Sequence, residues 1–457
     1  MKKILMTVLF CAVTVSSFSQ EKEQIVKTGL NVGPLPAVAY DADKGFQLGA
    51  VIQLFDYGDG HNYPNYDSKL YMEASFFTKG SQLYQLRYDN KELIPGIRWC
   101  SAARLNIDKA YDFYGFNGYE SNYSYTSVDM GKQGKSYLFS PFYRIARTEF
   151  LFKSEFIGDI TRNFKWEAGI FANYHKIGTI NYDSINKGKS DTEKFPEGKL
   201  TLYDYYKGLG AISESEANGG FSGGIRLGLT YDSRDKEGAP SRGIWAEGHV
   251  AMAPKFLAKN PYYRYSLTFR HYLPIVKNDK LTFAYRLNYE GTLGKTAPFY
   301  VLPYMTVMGE RSDNEGMGGF FTVRGIMRSR VIGLDTATYN MELRWRFVNF
   351  SLWNQNIALG LSAFSDGTMV TRDRDISALN VVRPHMASYD PLNPELLTSE
   401  KKDHLHITFG AGFRFIMNEN FIVAFEYGTP LTHFQKNSPL YNQDGTGAFY
   451  VNIGYLF

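Results

Sequence analysis

Residues 318–326 of this 457-residue chain read Gly-Gly-Phe-Phe-Thr-Val-Arg-Gly-Ile. Glycine lets backbone pack closely or adopt positive φ, and an arginine held between glycines can aim its guanidinium fork at a carboxylate. Two acids follow: Glu342 in Met341-Glu342-Leu343-Arg344, and Asp366 in Phe364-Ser365-Asp366-Gly367. The chemistry these types offer is a buried ion pair, with Arg324 of the run Val323-Arg324-Gly325-Ile326 meeting Glu342 and Asp366. The alternative for the same arginine is a solvated side chain in an exposed loop, worth little to stability.

Groups suited to catalysis are sparse. His175, His249 and His406 have no readable nucleophile motif beside them, and a hydrolase needs nucleophile and base within hydrogen-bond reach. His404 and His406 share one strand face and could in principle share a metal, but no third ligand is evident. Asp366, Asp373 and Asp375 lack the spacing and terminal glutamate of a calcium loop, and the run Arg372-Asp373-Arg374-Asp375 suits a solvated surface loop. The sequence therefore calls for no catalytic residue, no metal and no cofactor.

The elements that would hold the arginine and its acids alternate with period two. Leu405, Ile407, Phe409, Ala411, Phe413 and Phe415 oppose His406, Thr408, Gly410, Gly412 and Arg414. Phe421, Val423, Phe425 and Tyr427 oppose Ile422, Ala424, Glu426 and Gly428, and Phe449, Val451, Ile453, Tyr455 and Phe457 form the apolar row of the last segment. The same holds for Tyr339–Phe347 and Leu281–Glu290, where the charges fall on one face. Arginine on a lipid face costs about 2–4 kcal/mol near the bilayer midplane, so these arginines belong in a wet lumen. A soluble sandwich would seldom collect such charge on its inner face.

Composition agrees. Aromatic residues are 16% of the chain within a total of only 44% hydrophobic residues, which suits strands with one greasy and one wet face. After the first 19 residues no apolar run nears the roughly 20 a spanning helix needs, which leaves a closed β-barrel as the way across a bilayer. Lys2 and Lys3, the apolar run Ile4–Val15, and small residues at Ser17 and Ser19 read as a signal peptide over 1–19. Cys11 lies within it and Cys100 beyond it, so no disulfide framework is expected. Lys+Arg 50 against Asp+Glu 46 is near balance, which gives no support to nucleic-acid binding.

The resulting expectation is an all-β, transmembrane antiparallel β-barrel of about 16 strands with an extracellular loop folded into the lumen. Residues 20–43 form a short periplasmic lead and 44–457 the barrel. Upstream strands fall near 44–57, 68–78, 82–90, 98–107, 112–123, 136–159, 164–178, 222–234, 243–254 and 262–275. Tight turns near 161–163, 236–242, 354 and 417–420 alternate with long loops near 124–135, 181–219, 295–337 and 371–403, as periplasmic turns alternate with extracellular loops.

These motifs resemble the BamA/TamA family of outer-membrane barrels, the bacterial surface antigen family. Its marker, a Val-Arg-Gly-aromatic tip on the sixth extracellular loop, is matched by Val323, Arg324, Gly325 and Ile326, with isoleucine in the aromatic place. The resemblance extends to Leu229–Asp235 with Pro240-Ser241-Arg242-Gly243, to Gly410–Arg414, and to Glu426–Leu431. It implies that the loop arginine binds Glu342 and Asp366. It also implies a weakly paired seam between the first and last strands, here joining Phe46–Leu54 to Phe449–Phe457, with Gly454 loosening the pairing. Family members insert barrels into the outer membrane or pass polypeptides across it, using periplasmic POTRA domains for which 20–43 leaves no room. The implied function is an accessory or partner-dependent part of outer-membrane protein assembly or envelope biogenesis. Its implied surroundings are outer-membrane lipid, barrel-assembly components or a separate periplasmic protein, and no nucleic acid. The alternative is a passive or gated channel. Arg226, Arg234, Arg264, Arg270, Arg286, Arg344, Arg346 and Arg414 would make it weakly anion-favouring.

Overall fold

The structure is a computed structural model that describes residues 25–41, 45–123, 140–196, 198–276, 280–309, 311, 314–380, 397–399, 401–455 and 457. The expected signal peptide over 1–19 lies outside these residues, as do the expected loop at 124–135 and the middle of the 371–403 connection.

Sixteen strands form one antiparallel sheet in which each pairs with its sequence neighbours. The amino-terminal half comprises β1 (Leu30–Asp41), β2 (Gly45–Asp56), β3 (Ser68–Phe77), β4 (Gln82–Ile94), β5 (Ile97–Asp112), β6 (Arg144–Thr161), β7 (Phe164–Gly178) and β8 (Gly219–Asp232). The remainder comprises β9 (Gly243–Ala253), β10 (Tyr262–Val276), β11 (Leu281–Leu293), β14 (Asp335–Leu352), β15 (Gln355–Arg372), β16 (His406–Met417), β17 (Phe421–Pro430) and β18 (Ala448–Ile453). A two-stranded hairpin, β12 (Tyr304–Met305) and β13 (Asn314–Glu315), stands apart from this sheet.

Period-two burial is clear in β14, where Asn340, Glu342 and Arg344 are buried and Met341, Leu343 and Trp345 are exposed. The outer row suits lipid, while the buried charges of the inner row meet one another. Arg226 pairs with Glu155, Arg234 with Asp232, Arg346 with Glu419 and Arg414 with Glu426. The long connections carry a second core. Phe113 and Phe116 from the β5–β6 connection pack with Tyr206 of α1 (Leu202–Leu209) and with Phe299. A capping box between Thr201 and Asp204 starts that helix. The long loops therefore cap the barrel at one end, while the turns at 162–163, 353–354 and 418–420 mark the other.

Two differences from the expected strands cancel in the count. Residues 30–41, expected in the periplasmic lead, form β1, paired with β2 from Leu30↔Asp56 to Asp41↔Gly45. The sheet thus begins at Leu30 rather than near 44. Conversely, 112–123 is no strand beyond Asp112: Gly118–Glu120 is a turn of 3-10 helix, and its aromatics belong to the loop core. Pro34 and Pro36 explain how β1 hides in the sequence. Along a strand, N–H groups two residues apart point to the same side, so both prolines lack donors on one edge. An unbroken ladder to β2 on the other edge identifies β1 as an edge strand, where proline is tolerated.

Candidate functional site: the loop lock and the seam

The β11–β14 connection descends into the lumen. At its tip Gly318 and Gly319 adopt φ of +119° and +84°, Thr322 Oγ donates to the Gly318 carbonyl at 3.0 Å, and Gly319 N–H donates to Ile326 O at 2.8 Å. This tight loop presents Arg324, which is fully buried. Arg324 Nε and Nη2 donate to the two carboxylate oxygens of Asp366 at 2.8 and 3.0 Å. Its backbone N–H donates to Asp366 Oδ2 at 3.0 Å, Nη1 donates to Glu426 Oε1 at 2.8 Å, and the guanidinium lies 3.5 Å from the centre of the Phe364 ring. Glu342 is further off, 3.7 Å from Nη1. Burial works against the charge on Arg324, but Asp366, Glu426 and Glu342 outweigh it and hold the group above its ordinary pKa.

Gly325 follows with φ of +96°. A Cβ there would lie 2.6 Å from Thr429 N, and one on Gly428 would lie 2.9 Å from Gly325 N. The two glycines let the loop tip lie directly on β17, and Tyr450 accepts the Gly325 N–H at 3.0 Å. Val323 and Ile326 fill an apolar pocket with Met305, Met317, Val331 and Val370. Here Ile326 serves as packing, a role open to any large apolar side chain.

The acids are shared. Arg414 contacts Glu342 and Glu426, and Arg344 lies 3.4 Å from Glu342. Arg324, Arg344 and Arg414 thus face Glu342, Asp366 and Glu426 in a buried, charge-balanced cluster. Glu426 is the partner that sequence reasoning passed over. Its place on the wet row of β17 was the available signal.

A second part of the same connection goes deeper. In the loop that connects β12 to β13, Val307 O accepts from Lys153 Nζ at 2.6 Å and Gly309 N–H donates to Glu155 at 3.0 Å. Arg311 Nη1 donates to Tyr455 O at 3.2 Å. Tyr455 and Phe457 are themselves inside. Phe449 and Val451 are 64% and 56% exposed, whereas Tyr455 and Phe457 are 7% and 3% exposed. Gly454, at φ +97°, turns the chain, and Phe457 packs on Tyr272 and Ala284. The expected lipid-facing row is broken at this glycine: Gly454 redirects the chain into the lumen.

The seam also differs from expectation. Its amino-terminal side is β1, with Phe46 and Leu54 one strand further in on β2. Among the described residues, no ladder joins β1 to β18. Instead, Phe421 and Val423, from the outward row of β17, pack with Phe55, Tyr57 and Leu35 on the inner side of β1–β2. A Cβ on Gly33 would lie 2.7 Å from the Phe421 ring. At this end the carboxyl-terminal edge tucks inside the amino-terminal one, beside a cleft of about 330 Å³ lined by Leu30, Val32, Gly33, Met417 and Phe421.

The remaining candidates divide. His404 is exposed and His406 is buried, so the two do not converge. His406 instead bridges Asp403 and Asp444, each at 2.7 Å, with Tyr119 stacked on its ring. Among the described residues, no group of His, Cys, Asp and Glu could hold a metal ion. The run at 372–375 is not simply solvated. Arg372 pairs with Asp335 at 2.7 Å, and Arg374, buried, pairs with Glu216 and lies over Phe116. Its arginines anchor the loop to the cap, which a charge pattern alone does not disclose.

Residues 111–457 match the model of the Omp85 superfamily domain. Among solved structures, the chain is similar to BamA from Haemophilus ducreyi lacking POTRA domains 1–3, at 15% identity and a TM-score of 0.50, covering 93% of this chain and 70% of that one. It is also similar to CdiB from Escherichia coli, at 11% identity and a TM-score of 0.45, covering 88% of this chain and 59% of that one. The chain thus spans under two thirds of that CdiB. No curated protein matches it.

Proposed function

Because the chain belongs to the Omp85 superfamily of outer-membrane insertion and translocation barrels, we propose that it works at its seam, as a partner-dependent component of outer-membrane protein assembly or envelope biogenesis. The observation that carries this reading is the state of the two sheet edges. Among the described residues, β18 is held to β17 by the six residue pairs from Val423↔Ile453 to Gly428↔Ala448, followed by the Gly454 N–H donating to Ile422 O at 2.8 Å. Across the gap, β1 lacks the N–H donors that residues 34 and 36 would otherwise offer. An edge short of donors facing a short strand leaves both edges open, and open edges admit another strand.

The lumen supports the same route. It is occupied by the Arg324 tip, by the segment around Val307–Gly309 and by Tyr455 and Phe457, so a polypeptide would travel along the wall rather than through the middle. Among the described residues, the middle of the lumen is filled by the protein's own loop and carboxyl-terminal side chains. In this reading, delivery falls to barrel-assembly components or to a separate periplasmic protein.

Reconstitution tests this. Liposomes carrying the purified protein, alone or with the proteins that co-purify in mild detergent, receive a urea-unfolded outer-membrane barrel, and acquisition of heat-modifiable mobility is followed. Faster folding with the co-purifying fraction than with either part alone is expected. Folding no faster than in empty liposomes under both conditions removes the proposal.

A further inference from the structure

The segment Ile25–Gly29 leads into β1 from the periplasmic end, yet it binds residues on the far side of the seam. Ile25 N–H donates to Asn356 Oδ1 at 2.9 Å, and Asn356 Nδ2 donates back to Ile25 O at 2.7 Å. The same Nδ2 donates to Tyr63 Oη at 3.0 Å, and Lys27 Nζ donates to Asn354 O. Asn354 lies in the β14–β15 turn and Asn356 at the start of β15. Beside them Asn420, in the β16–β17 turn, donates to Tyr57 Oη at 3.0 Å and to Pro64 O, both in the β2–β3 connection. That connection also backs the segment closely: Gly60 has φ of +89°, and a Cβ there would lie 2.9 Å from Lys27 O.

These contacts stand where a ladder would. Among the described residues no ladder joins β1 to β18, so at this end the two edges are tied by side chains and by the overlap of Phe421 and Val423 with Phe55 and Tyr57. The ties are also short. In the sheet order four strand spacings separate β1 from β15, about 19 Å along the wall, whereas five extended residues reach about 17 Å. Ile25 meets Asn356 because the carboxyl-terminal edge is tucked inside the amino-terminal one, and a strand admitted between the edges would add about 5 Å. Asn356 and Asn420 are half-buried and Asn354 is exposed, so water can replace these bonds, and each contributes modestly. They form a releasable tie, unlike the fully buried contacts of Arg324.

We propose that Ile25–Gly29 is a periplasmic strap that holds the seam shut and must let go of Asn354 and Asn356 before a strand can enter. The strap is continuous with β1 and bound to β15, so any widening between those strands stretches it. The seam is thereby kept closed from below by a tie that a few hydrogen bonds control. The hold of the strap stands on its own contacts, whereas the link between its release and strand entry rests on the function proposed above.

The test uses the full chain in neutral detergent, carrying Cys100→Ser and Val423→Cys. Position 423 is 7% exposed beneath the overlap, so its rate of reaction with N-ethylmaleimide reads how often the seam parts. Asn356→Ala removes three hydrogen bonds across the seam and is expected to raise that rate about tenfold; Lys27→Met removes one and should raise it about threefold. Asn90→Ala also removes three, all within the β4–β5 hairpin, and should leave the rate unchanged. Lys27→Met decides the matter if Asn356→Ala fails to fold. In a second protein with Cys100→Ser but Val423 intact, Ile25→Cys and Asn356→Cys are oxidised to a disulfide, which should stop the folding of a client barrel in liposomes until dithiothreitol restores it. Labelling of Asn356→Ala and Lys27→Met at the Asn90→Ala rate overturns the strap. Client folding as fast when oxidised as when reduced overturns its release as a condition of entry. If the reduced protein folds no client, the function proposed above fails and the release step with it, while the labelling rates still decide the strap.

Discussion

Removing the guanidinium of Arg324 exposes most directly what holds the loop inside the barrel. The cluster of Arg324, Arg344 and Arg414 with Glu342, Asp366 and Glu426 is balanced at three charges each, with every side chain at least nine-tenths buried. Arg324→Ala leaves one net negative charge there. Asp366 suffers most, because Arg324 supplies both of its side-chain partners and a backbone N–H besides. Breaking a buried pair by deleting one member costs about 3–5 kcal/mol. Loss of the Phe364 contact at 3.5 Å adds about 1 kcal/mol. Equilibrium urea unfolding of the purified barrel in micelles, monitored by tryptophan fluorescence, reads the difference. The comparison variant is Lys194→Ala, whose pair with Asp191 is solvent-exposed, Asp191 being 94% exposed, and which should stay within about 0.5 kcal/mol of wild type. Arg372 is unsuitable as that control because it binds Asp335. Adding Asp366→Ala to Arg324→Ala should recover part of the loss, since the stranded charge disappears with it. Equal stability of Arg324→Ala and Lys194→Ala, or strictly additive effects of the two cluster substitutions, refutes the lock.

Four further outcomes follow from the same contacts. Gly325→Ala should destabilise by about 1–3 kcal/mol with Arg324 intact, because the new Cβ meets Thr429 N at 2.6 Å in a positive-φ position; unchanged urea unfolding would show that the tip does not lie on β17. Replacing Pro34 and Pro36 together by valine restores two donors to the free edge, so amide exchange along Leu30–Asp41 should slow, and exchange as fast as in wild type argues against edge weakening. Burial favours the neutral acid at Asp444, but the charge and hydrogen bond of His406 outweigh it and hold Asp444 below the usual carboxylate range. A depressed carboxylate stabilises above its unfolded pKa and loses that contribution as pH falls through its folded one. Acid should therefore release the 431–447 loop to protease in wild type, whereas Asp444→Asn should be cleaved with little pH dependence. In planar bilayers, the filled lumen should give brief, rare openings, and a large steady conductance from the wild type would exclude a plug.

The parts of this molecule legible in its sequence are those that lipid dictates. A spanning strand must keep one row apolar, so β11, β14 and β16 declare themselves residue by residue, and the wet row exposes its arginines and acids to inspection. What lipid does not dictate stays hidden. The aromatics at 113–123 read as strand because a loop core is built from the same residues as a lipid face, and alternation cannot separate them. Pattern alone puts Phe457 on the row of Phe449, because a row continues until something breaks it, and a single glycine can do so without changing the pattern. Glu426 stood in plain view on its strand, yet the choice between it and Glu342 as the nearer partner depends on how far the loop leans across the lumen. At β1 the prolines conceal the strand from propensity for the same reason that they weaken its outer edge: both effects are the loss of N–H donors. An element that functions by pairing poorly will look least like the element it is, so the seam is the part of such a barrel where sequence reading should be expected to fail first.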